Sequence, residues 1–331
     1  MPEVLNVICG LPDDGRVRLT QMSPEVRFYY EGTAGFLDQL RDERPWRRAW
    51  VGPASPAATA LAPGGIVNYI ADPDLCSIAL RAAITAAQTI PRPWFNHPLR
   101  IAASTRSRVS ELLQGIDGLH APRAIRFQPD AAQDIVRAIA DAGLRYPVIV
   151  RRAGTHGGKT MARLDGPGDS LEANLYAGGP TYVTELVDFG DADGFHRKYR
   201  FAVIGGEPFV TSMIIGHDWN LHSKSRVWTP ETIAEERILI DTFDHALRPR
   251  LKPITDLIYQ RLGLDYFGVD CALRPDGSVL LFEANATMNI LGTATLKPDL
   301  WSRTDKLAKE ALLTLLEHPQ RWAMSGAMAV V

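Results

Sequence analysis

The chain has few cysteines, and their positions argue against the two structures that cysteines usually build. Cys9, Cys76 and Cys271 are widely separated among 331 residues, and no two of them form a CxxC pair. A structural zinc site needs closely spaced ligands, and a disulfide framework needs paired cysteines in an oxidising compartment. We therefore expect neither, and the composition favours a reducing cytoplasm.

The sequence also lacks long apolar runs and an excess of either charge. No run approaches the ~18 apolar residues of a membrane span. The N-terminal segment has no basic region before an apolar stretch, so we expect no signal peptide and no membrane association. The formal net charge is −2, which gives no electrostatic reason to expect nucleic acid as a partner.

Residues 1–103 have the pattern of one α/β unit. Short apolar runs bounded by glycine and proline predict strands at 4–10, 47–52 and 64–71. Apolar residues at helical spacing predict a helix over 75–90, and LRIAAS (99–104) predicts a short final strand. No GxGxxG follows any of these strands, so we interpret the unit as a Rossmann-like scaffold without nucleotide chemistry of its own.

The rest of the chain alternates between the two periodicities. Helices are predicted at 106–116, 130–144, across 231–262 and at roughly 304–317. Strands are predicted at 121–127 and 181–189, on both sides of a glycine-rich turn after PVIVRR, and around Gly205-Gly206. LDYFGVDCALRPDGSVLLFEAN predicts a β-hairpin that turns at 275–277.

The stretch AGTHGGKT (153–160) is open to three interpretations. It approaches the phosphate-binding pattern GxxxxGK[ST], but the following MARLDGPGDS is poor material for the helix that this pattern requires. It could instead be a glycine-rich flap between two strands, with its amides on a triphosphate and Arg151 reaching a phosphate. The third interpretation is a plain hairpin turn, with Arg151 and Arg152 on a solvated face.

VLLFEANATMN (279–289) ends an apolar strand with an acid and an amide. Residues two apart share one face of a strand, so Glu283 and Asn285 should point the same way. Pairing across the turn at 275–277 places Asp270 opposite this end, and three such oxygen donors suit Mg²⁺. Alternatively, Asp270 is a hydrogen-bonded strand residue and Glu283 the partner of an arginine. We favour the metal, because two buried acids on neighbouring strands repel unless a cation intervenes.

Four stretches occur in a fixed order: PVIVRRAGTHGG, YVTELVDF, KYRFAVIGGEPF and DYFGVDCALRPDGSVLLFEAN. With this order and spacing the chain resembles the ATP-grasp superfamily, which includes D-alanine–D-alanine ligase and glutathione synthetase, from about residue 96 to its end. The resemblance implies an α/β (α+β) chain with the ATP-grasp fold. A Rossmann-like N-terminal domain (1–103) would precede two α+β subdomains that clasp the nucleotide, at 104–189 with the glycine-rich loop and at 190–331 with the magnesium site.

The resemblance implies which residues face the nucleotide. Arg151 stands where the family usually has a lysine that contacts the α and β phosphates, so the charge is kept and the geometry changes. Arg106 either replaces a second nucleotide-contacting lysine or simply begins a surface helix. Either Asp188 or Asp193 takes the ribose, and Asp193 is included in the predicted site. The other predicted nucleotide-side residues are Gly154, Thr155, His156, Gly157 and Gly158 in the loop, Glu185, Leu186 and Val187 in the hinge beside the adenine, and Phe282.

The remaining roles concern catalysis, metal and substrate. Arg200 matches the arginine near the γ-phosphate and the acyl phosphate, and Lys198 is a second basic candidate there or a solvated strand residue. The metal ligands match Asp270, Glu283 and Asn285, with Mn²⁺ able to replace Mg²⁺. The substrate-side residues are predicted to be His222, Lys224, Met288 and Asn289. A plain surface loop is the alternative for the stretch that contains His222 and Lys224.

The activity that the resemblance implies is ATP-dependent ligation. ATP would activate a carboxylate as an acyl phosphate, and an amine would displace the phosphate to form an amide or peptide bond. The partners would then be small molecules, such as amino acids or peptides. Homodimers are common in the family, so a homodimer is also expected. Two alternatives remain open on the same fold: a small-molecule kinase, and a nucleotide-binding regulatory module without catalysis.

Overall fold

The computed structural model describes residues 4–22, 25–40, 43–52, 61, 63–156, 160–288 and 298–323. Asn289, Gly157 and Gly158, which belong to the predicted site, lie outside these residues. None of the helices within the described ranges is both long and apolar enough to cross a membrane.

The N-terminal part is a parallel sheet with helices. Its elements are β1 (Leu5–Cys9), β2 (Arg18–Met22), β3 (Glu25–Tyr29), β4 (Trp46–Trp50), β5 (Ile66–Asn68), α1 (Ser77–Thr89), β6 (Trp94–Phe95) and α2 (Pro98–Ala102). The sheet has the order β4-β1-β5-β6, and β2 and β3 form a separate hairpin. The predicted strands at 4–10, 47–52 and 64–71 and the predicted helix at 75–90 are confirmed.

The strand predicted at 99–104 is wrong, because this segment is the helix α2. Pro98 occupies the first helical turn, where its missing N–H costs nothing, and the His97 side chain accepts a hydrogen bond from the Leu99 amide. The segment is too short for its apolar spacing to distinguish a strand from a helix.

The central part is an antiparallel sheet covered by one amphipathic helix. Its elements are α3 (Arg106–Leu112), β7 (Leu119–His120), β8 (Ala124–Phe127), α4 (Ala132–Asp141), β9 (Val148–Arg152), β10 (Met161–Leu164) and β11 (Thr181–Glu185). The sheet has the order β10-β9-β11-β8, while β7 pairs in parallel with a strand of the C-terminal sheet. Since β9 and β10 are antiparallel, the Walker interpretation is wrong. The flap and the plain hairpin turn share this pairing, so the phosphate contacts of the loop stay a prediction.

The C-terminal part carries the second large sheet. Its elements are β12 (His196–Ile204), β13 (Glu207–Gly216), α5 (Pro230–Thr242), α6 (Arg248–Leu262), β14 (Tyr266–Leu273), β15 (Val279–Asn285) and α7 (Pro298–Leu316). A π-helical turn, Phe243–Leu247, joins α5 to α6. The sheet order is β13-β12-β14-β15-β7, and the predicted hairpin at 275–277 is confirmed.

Two hydrophobic cores show how these parts are joined. One core runs without interruption from the N-terminal sheet to the C-terminal sheet and includes Phe36, whose ring stacks on Tyr266 at 3.6 Å. The central sheet has a separate small core, in which Val148 and Val150 of β9 pack with Ile135 and Ile139 of α4. The central sheet is therefore its own packing unit, placed over the rest of the molecule. The domain limits at 103 and 189 stay a prediction.

Candidate active site

A cleft of about 330 Å³ lies between the central and C-terminal sheets. The alternation of β9 builds one of its walls: Val148 and Val150 are fully buried against α4, so Ile149 and Arg151 point to the opposite face and line the cleft. Eleven of the predicted residues share this lining, namely Arg106, Arg151, Glu185, Leu186, Val187, Lys198, Arg200, His222, Asp270, Phe282 and Glu283.

An outer cavity of about 700 Å³ adjoins the cleft where the N-terminal part meets the other two. Arg200 and Glu283 line both spaces. The other predicted residues that line the outer cavity are Gly154, Thr155, His156, Asn285 and Met288. The N-terminal part contributes Glu31 and Asp38 to its wall, outside its sheet, and no sequence pattern indicated them.

The two acids predicted to bind metal face each other across neighbouring strands. Asp270 of β14 pairs with Glu283 of β15, and Gly268 pairs with Asn285. A bulge follows at once, since Cys271 pairs with Leu281 and Phe282 is left as the extra residue. A second bulge follows Arg200 on β12. Bulges redirect side chains at the ends of ladders, and here both lie beside the charged residues of the cleft.

Asp270 is neutralised by two cations from the adjacent strand. Arg200 binds it through two parallel hydrogen bonds of 2.7 and 2.8 Å, and Lys198 Nζ lies 3.3 Å away. Burial alone would raise the pKa of Asp270, but Arg200 and Lys198 outweigh burial and hold that pKa below its ordinary value. Asp270 is therefore a carboxylate at neutral pH.

Glu283 is neutralised from a different element. Arg106, at the start of α3, lies 3.0 Å from Glu283 Oε1 and donates a second bond of 3.2 Å to the Phe282 carbonyl. Burial would raise the pKa of Glu283, but Arg106, Arg151 and His156 together hold it well below its usual range. The interpretation of Arg106 as a surface helix start is wrong, because its side chain points into the site.

Arg151 differs from the other cations of the cleft. Its Nε is buried and has no hydrogen-bond partner among the described residues. Burial, with Arg106 nearby, lowers the pKa of Arg151 to about 10, so it stays charged at neutral pH. A buried, unpaired donor costs about 1–3 kcal/mol, and a phosphate oxygen in the cleft would remove that cost.

The hinge and an aromatic pair form the apolar end of the cleft. The Leu186 amide donates to the Pro147 carbonyl at 2.9 Å, so that N–H is already used. The rings of Phe189 and Phe282 meet at 4.6 Å beside it. Ile149, Met161 and Leu280 complete an apolar surface that suits a flat heterocycle. Of these three residues, only Ile149 could have been found from the sequence, because the alternation along β9 places it on the same face as Arg151.

The donor set fits a hard cation only in part. Asp270, Glu283 and Asn285 offer oxygens of the kind that Mg²⁺ takes. However, the Asn285 amide nitrogen donates to Glu283, and its oxygen accepts from Thr287 N and Oγ1 at 3.0 and 2.7 Å. Among the described residues, no group of three His, Cys, Asp or Glu is placed to hold a metal. Glu283 thus contacts an arginine, as the alternative interpretation of this strand expects. The metal role of the three residues stays a prediction.

Two predicted residues lie away from both spaces. The Asp193 carboxylate binds Arg197 at 2.7 Å, in a network that also contains Asp191 and Glu235. A tight turn brings the Asp193 carboxylate within reach of Arg197, four residues later. Asp193 does not line the cleft. Lys224 lies in the short 3₁₀ turn Ser223–Ser225, of which only Ser223, beside His222, reaches the cleft.

Lys198 links the acid to the loop that covers the cleft. Besides its contact with Asp270, its Nζ donates to the Leu221 carbonyl at 2.6 Å. Trp219, Asn220 and His222 of the same loop line the cleft. The plain surface loop and the solvated strand residue are therefore both wrong as interpretations.

Comparisons with known proteins give the fold. No family model matches the chain, and no curated protein matches it either. Among solved structures, the chain is similar to the VanG D-Ala:D-Ser ligase of Enterococcus faecalis, at 11% identity and TM-score 0.52 over 96% of this chain and 100% of that one. It is also similar to D-alanyl-alanine synthetase A of Vibrio cholerae, at 10% identity and TM-score 0.52 over 96% and 99%. The chain has the mixed α/β ATP-grasp fold, as the ordered motifs predicted.

Proposed function

We propose that this protein is an ATP-dependent ligase. It would activate a carboxylate as an acyl phosphate and couple it to an amine, forming an amide or peptide bond with release of ADP and phosphate. One observation carries the proposal: four basic side chains, from both sheets and from α3, converge on a cleft beside two opposed acids, and Nε of Arg151 is buried with no hydrogen-bond partner among the described residues. Such a site fits a polyphosphate.

The residues of the cleft divide the work by position. Phe189 and Phe282 would hold the adenine beside the hinge, and Arg106 and Arg151 would bind the phosphates. Arg200, which lines both spaces, would stabilise the negative charge that develops as the γ-phosphoryl group passes to the carboxylate. Asp270, Glu283 and Asn285 would hold Mg²⁺, or Mn²⁺, which would offset phosphate charge during transfer. Arg106 and Arg200 would have to turn from these acids towards the phosphates.

The outer cavity is the proposed place for both substrates. The similar structures are, by their names, ligases of D-alanine with D-alanine or D-serine, which supports small amino acids or their derivatives as substrates here. Met288 lines this cavity and His222 the cleft beside it. Roles for Lys224 and Asn289, a cytoplasmic location and a homodimer all stay predictions.

ADP release measured against a panel of carboxylates, with and without amines, tests the proposal. Release that requires both substrates supports ligation. A stable phosphorylated product without an amine requirement would show a kinase instead, and retained ATP binding without turnover would show a regulatory module. Isotope transfer from ¹⁸O-labelled carboxylate to phosphate checks the acyl-phosphate step, because that oxygen leaves with the phosphate when the amine attacks.

A further inference from the structure

A turn of the N-terminal part, residues 72–75, reaches the glycine-rich loop of the central part. Asp72 within it is nearly inaccessible, at 4% exposure. Its Oδ1 accepts from the amides of Asp74 and Leu75 at 2.8 and 3.1 Å, which closes the turn. Its Oδ2 lies 2.8 Å from Nε2 of His156. The two oxygens of Asp72 therefore contact different parts of the molecule: Oδ1 contacts the turn of the N-terminal part, and Oδ2 contacts the loop of the central part.

Neighbouring contacts fix the turn against the central sheet. The Asp74 carboxylate accepts from Arg126 Nε at 2.9 Å and from the Tyr182 hydroxyl at 2.6 Å. Gly154 has a φ of +71°, and a Cβ added there would lie 2.6 Å from Leu75 Cδ2. Because the loop backbone and the sheet both contact the same turn, Asp72 cannot shift without disturbing its neighbours. The direction of the His156 ring is thereby set.

The groups around His156 favour its charged form. The hydrogen bond to Asp72 is the main cause that raises the pKa of His156; burial and Arg106 oppose it, and Glu283 supports it. A third pocket is lined by His156 together with Arg151, Arg152 and Asp74, and Glu31, Asp38 and Arg200 line the outer cavity with His156. His156 therefore lines the outer cavity together with Arg200 and Glu283.

We propose that Asp72 is a positioning residue for the ligase reaction and that it acts through His156. Its Oδ2 fixes the proton on Nε2 and keeps the ring cationic, so that Nδ1–H is available to a phosphate oxygen at the transfer end of the site. The inference rests on the proposed function for this last step, whereas the Asp72–His156 pairing stands on the geometry alone. No sequence pattern indicated Asp72.

The first experiment measures the pairing without turnover. In ¹⁵N-histidine spectra of the free protein, His156 is assigned by its loss in His156→Gln and titrated in the wild type and in Asp72→Asn. Asparagine can still accept the amide bonds of the turn through Oδ1, so this variant keeps the fold. We expect its His156 to titrate about one pH unit lower. An unchanged titration would overturn the inference, whatever the enzyme does.

The second experiment is a double-mutant cycle on kcat/KM for ATP as a function of pH. In Asp72→Asn the high-pH limb should move down by about one unit, a loss of up to about tenfold above the pKa of the variant. His156→Gln keeps a donor to Asp72 but no charge, and adding Asp72→Asn to it should cause no further loss. Additive losses in the double variant would contradict action through His156.

Asp13→Asn is the matched control. Asp13 also accepts backbone amides in the N-terminal part, from Ser77 and Ile78 at 3.1 and 2.9 Å, but it does not line either space. It should leave both the titration and the pH profile in place. If the wild type releases no ADP with any substrate, the proposed function fails while the titration still decides the pairing.

Discussion

The two walls of the cleft balance their charges differently. On the C-terminal wall each acid already has a cation: Asp270 has Arg200 and Lys198, and Glu283 has Arg106. On the central wall Arg151 has a buried donor with no partner among the described residues. Burying a charge is tolerated when it is paired and costs free energy when it is not. The charges of the C-terminal wall thus offset each other, whereas under the proposed function a phosphate would supply the missing partner of Arg151 Nε.

The largest effect is expected from the C-terminal wall when turnover is measured. Glu283→Gln should reduce ADP release with saturating magnesium and ATP by at least roughly 100-fold, because the charge that would face the proposed metal is lost. The amide keeps an acceptor for Arg106, so circular dichroism and thermal melting should show an intact fold. Glu111→Gln, on an exposed helix face, is the control. Wild-type rates in Glu283→Gln would refute the metal assignment.

Stability should depend strongly on Arg200. Arg200→Met leaves Asp270 buried beside Lys198 alone and should lower the free energy of unfolding by about 3 kcal/mol. The pKa of Asp270 is lowered in the wild type, so its contribution is present above the unfolded pKa and disappears as pH falls through the folded value. In the variant that pKa rises, so the loss of stability as the pH falls should become smaller or vanish. Urea unfolding at pH 7, 5 and 4 measures both effects; equal curves would contradict the pairing.

Arg151 should behave in the opposite way. Arg151→Met removes a buried cation whose Nε has no hydrogen-bond partner among the described residues, so urea unfolding should show a smaller loss of stability than for Arg200→Met, while the affinity for Mg·ADP should fall by about 10- to 100-fold. Isothermal titration calorimetry measures the affinity. Arg163→Met on the neighbouring strand, whose arginine pairs with Asp165 in solvent, should change neither quantity. A destabilised Arg151→Met with normal affinity would reverse the contrast between the walls.

The smallest effect is expected from removing a helix cap that lies away from the cleft. Thr229 caps α5, accepting from the Thr232 amide at 3.2 Å. Thr229→Ala should cost about 1 kcal/mol of unfolding free energy. Affinity for Mg·ADP should stay the same, because α5 packs behind the C-terminal sheet. A change in affinity would mean that the outer helices are coupled to the site.

Much of the site could be predicted because its chemistry lies on strands with a clear alternation or a clear turn. The turn at 275–277 fixes which residues of β14 and β15 face each other, so Asp270 and Glu283 could be paired in advance. What could not be predicted is which charges neutralise them. Arg106 is 177 residues before Glu283 in the sequence, and nothing local indicates that it turns inward.

The wrong assignments have local physical causes. Residues 99–104 are too few for their apolar spacing to distinguish a strand from a helix. Pro98 in the first turn and the His97 cap favour the helix that the structure shows. Either Asp188 or Asp193 was predicted to take the ribose, but the Asp193 carboxylate binds Arg197 four residues later. In both cases a nearby hydrogen-bonding partner outweighed the pattern.

The sequence by itself determined the order of the elements, the two strands around the glycine-rich turn, and the positions of the opposed acids, because each depends on residues close together in the chain. The tertiary structure alone decided which cations hold those acids, that Arg151 Nε has no hydrogen-bond partner among the described residues, and that Asp72 meets His156 across 84 residues. Packing of the N-terminal part against the central sheet creates this last contact. Because the Asp72–His156 contact is partly buried, the pairing of its charges affects the free energy: a charge removed from water needs a partner or a ligand.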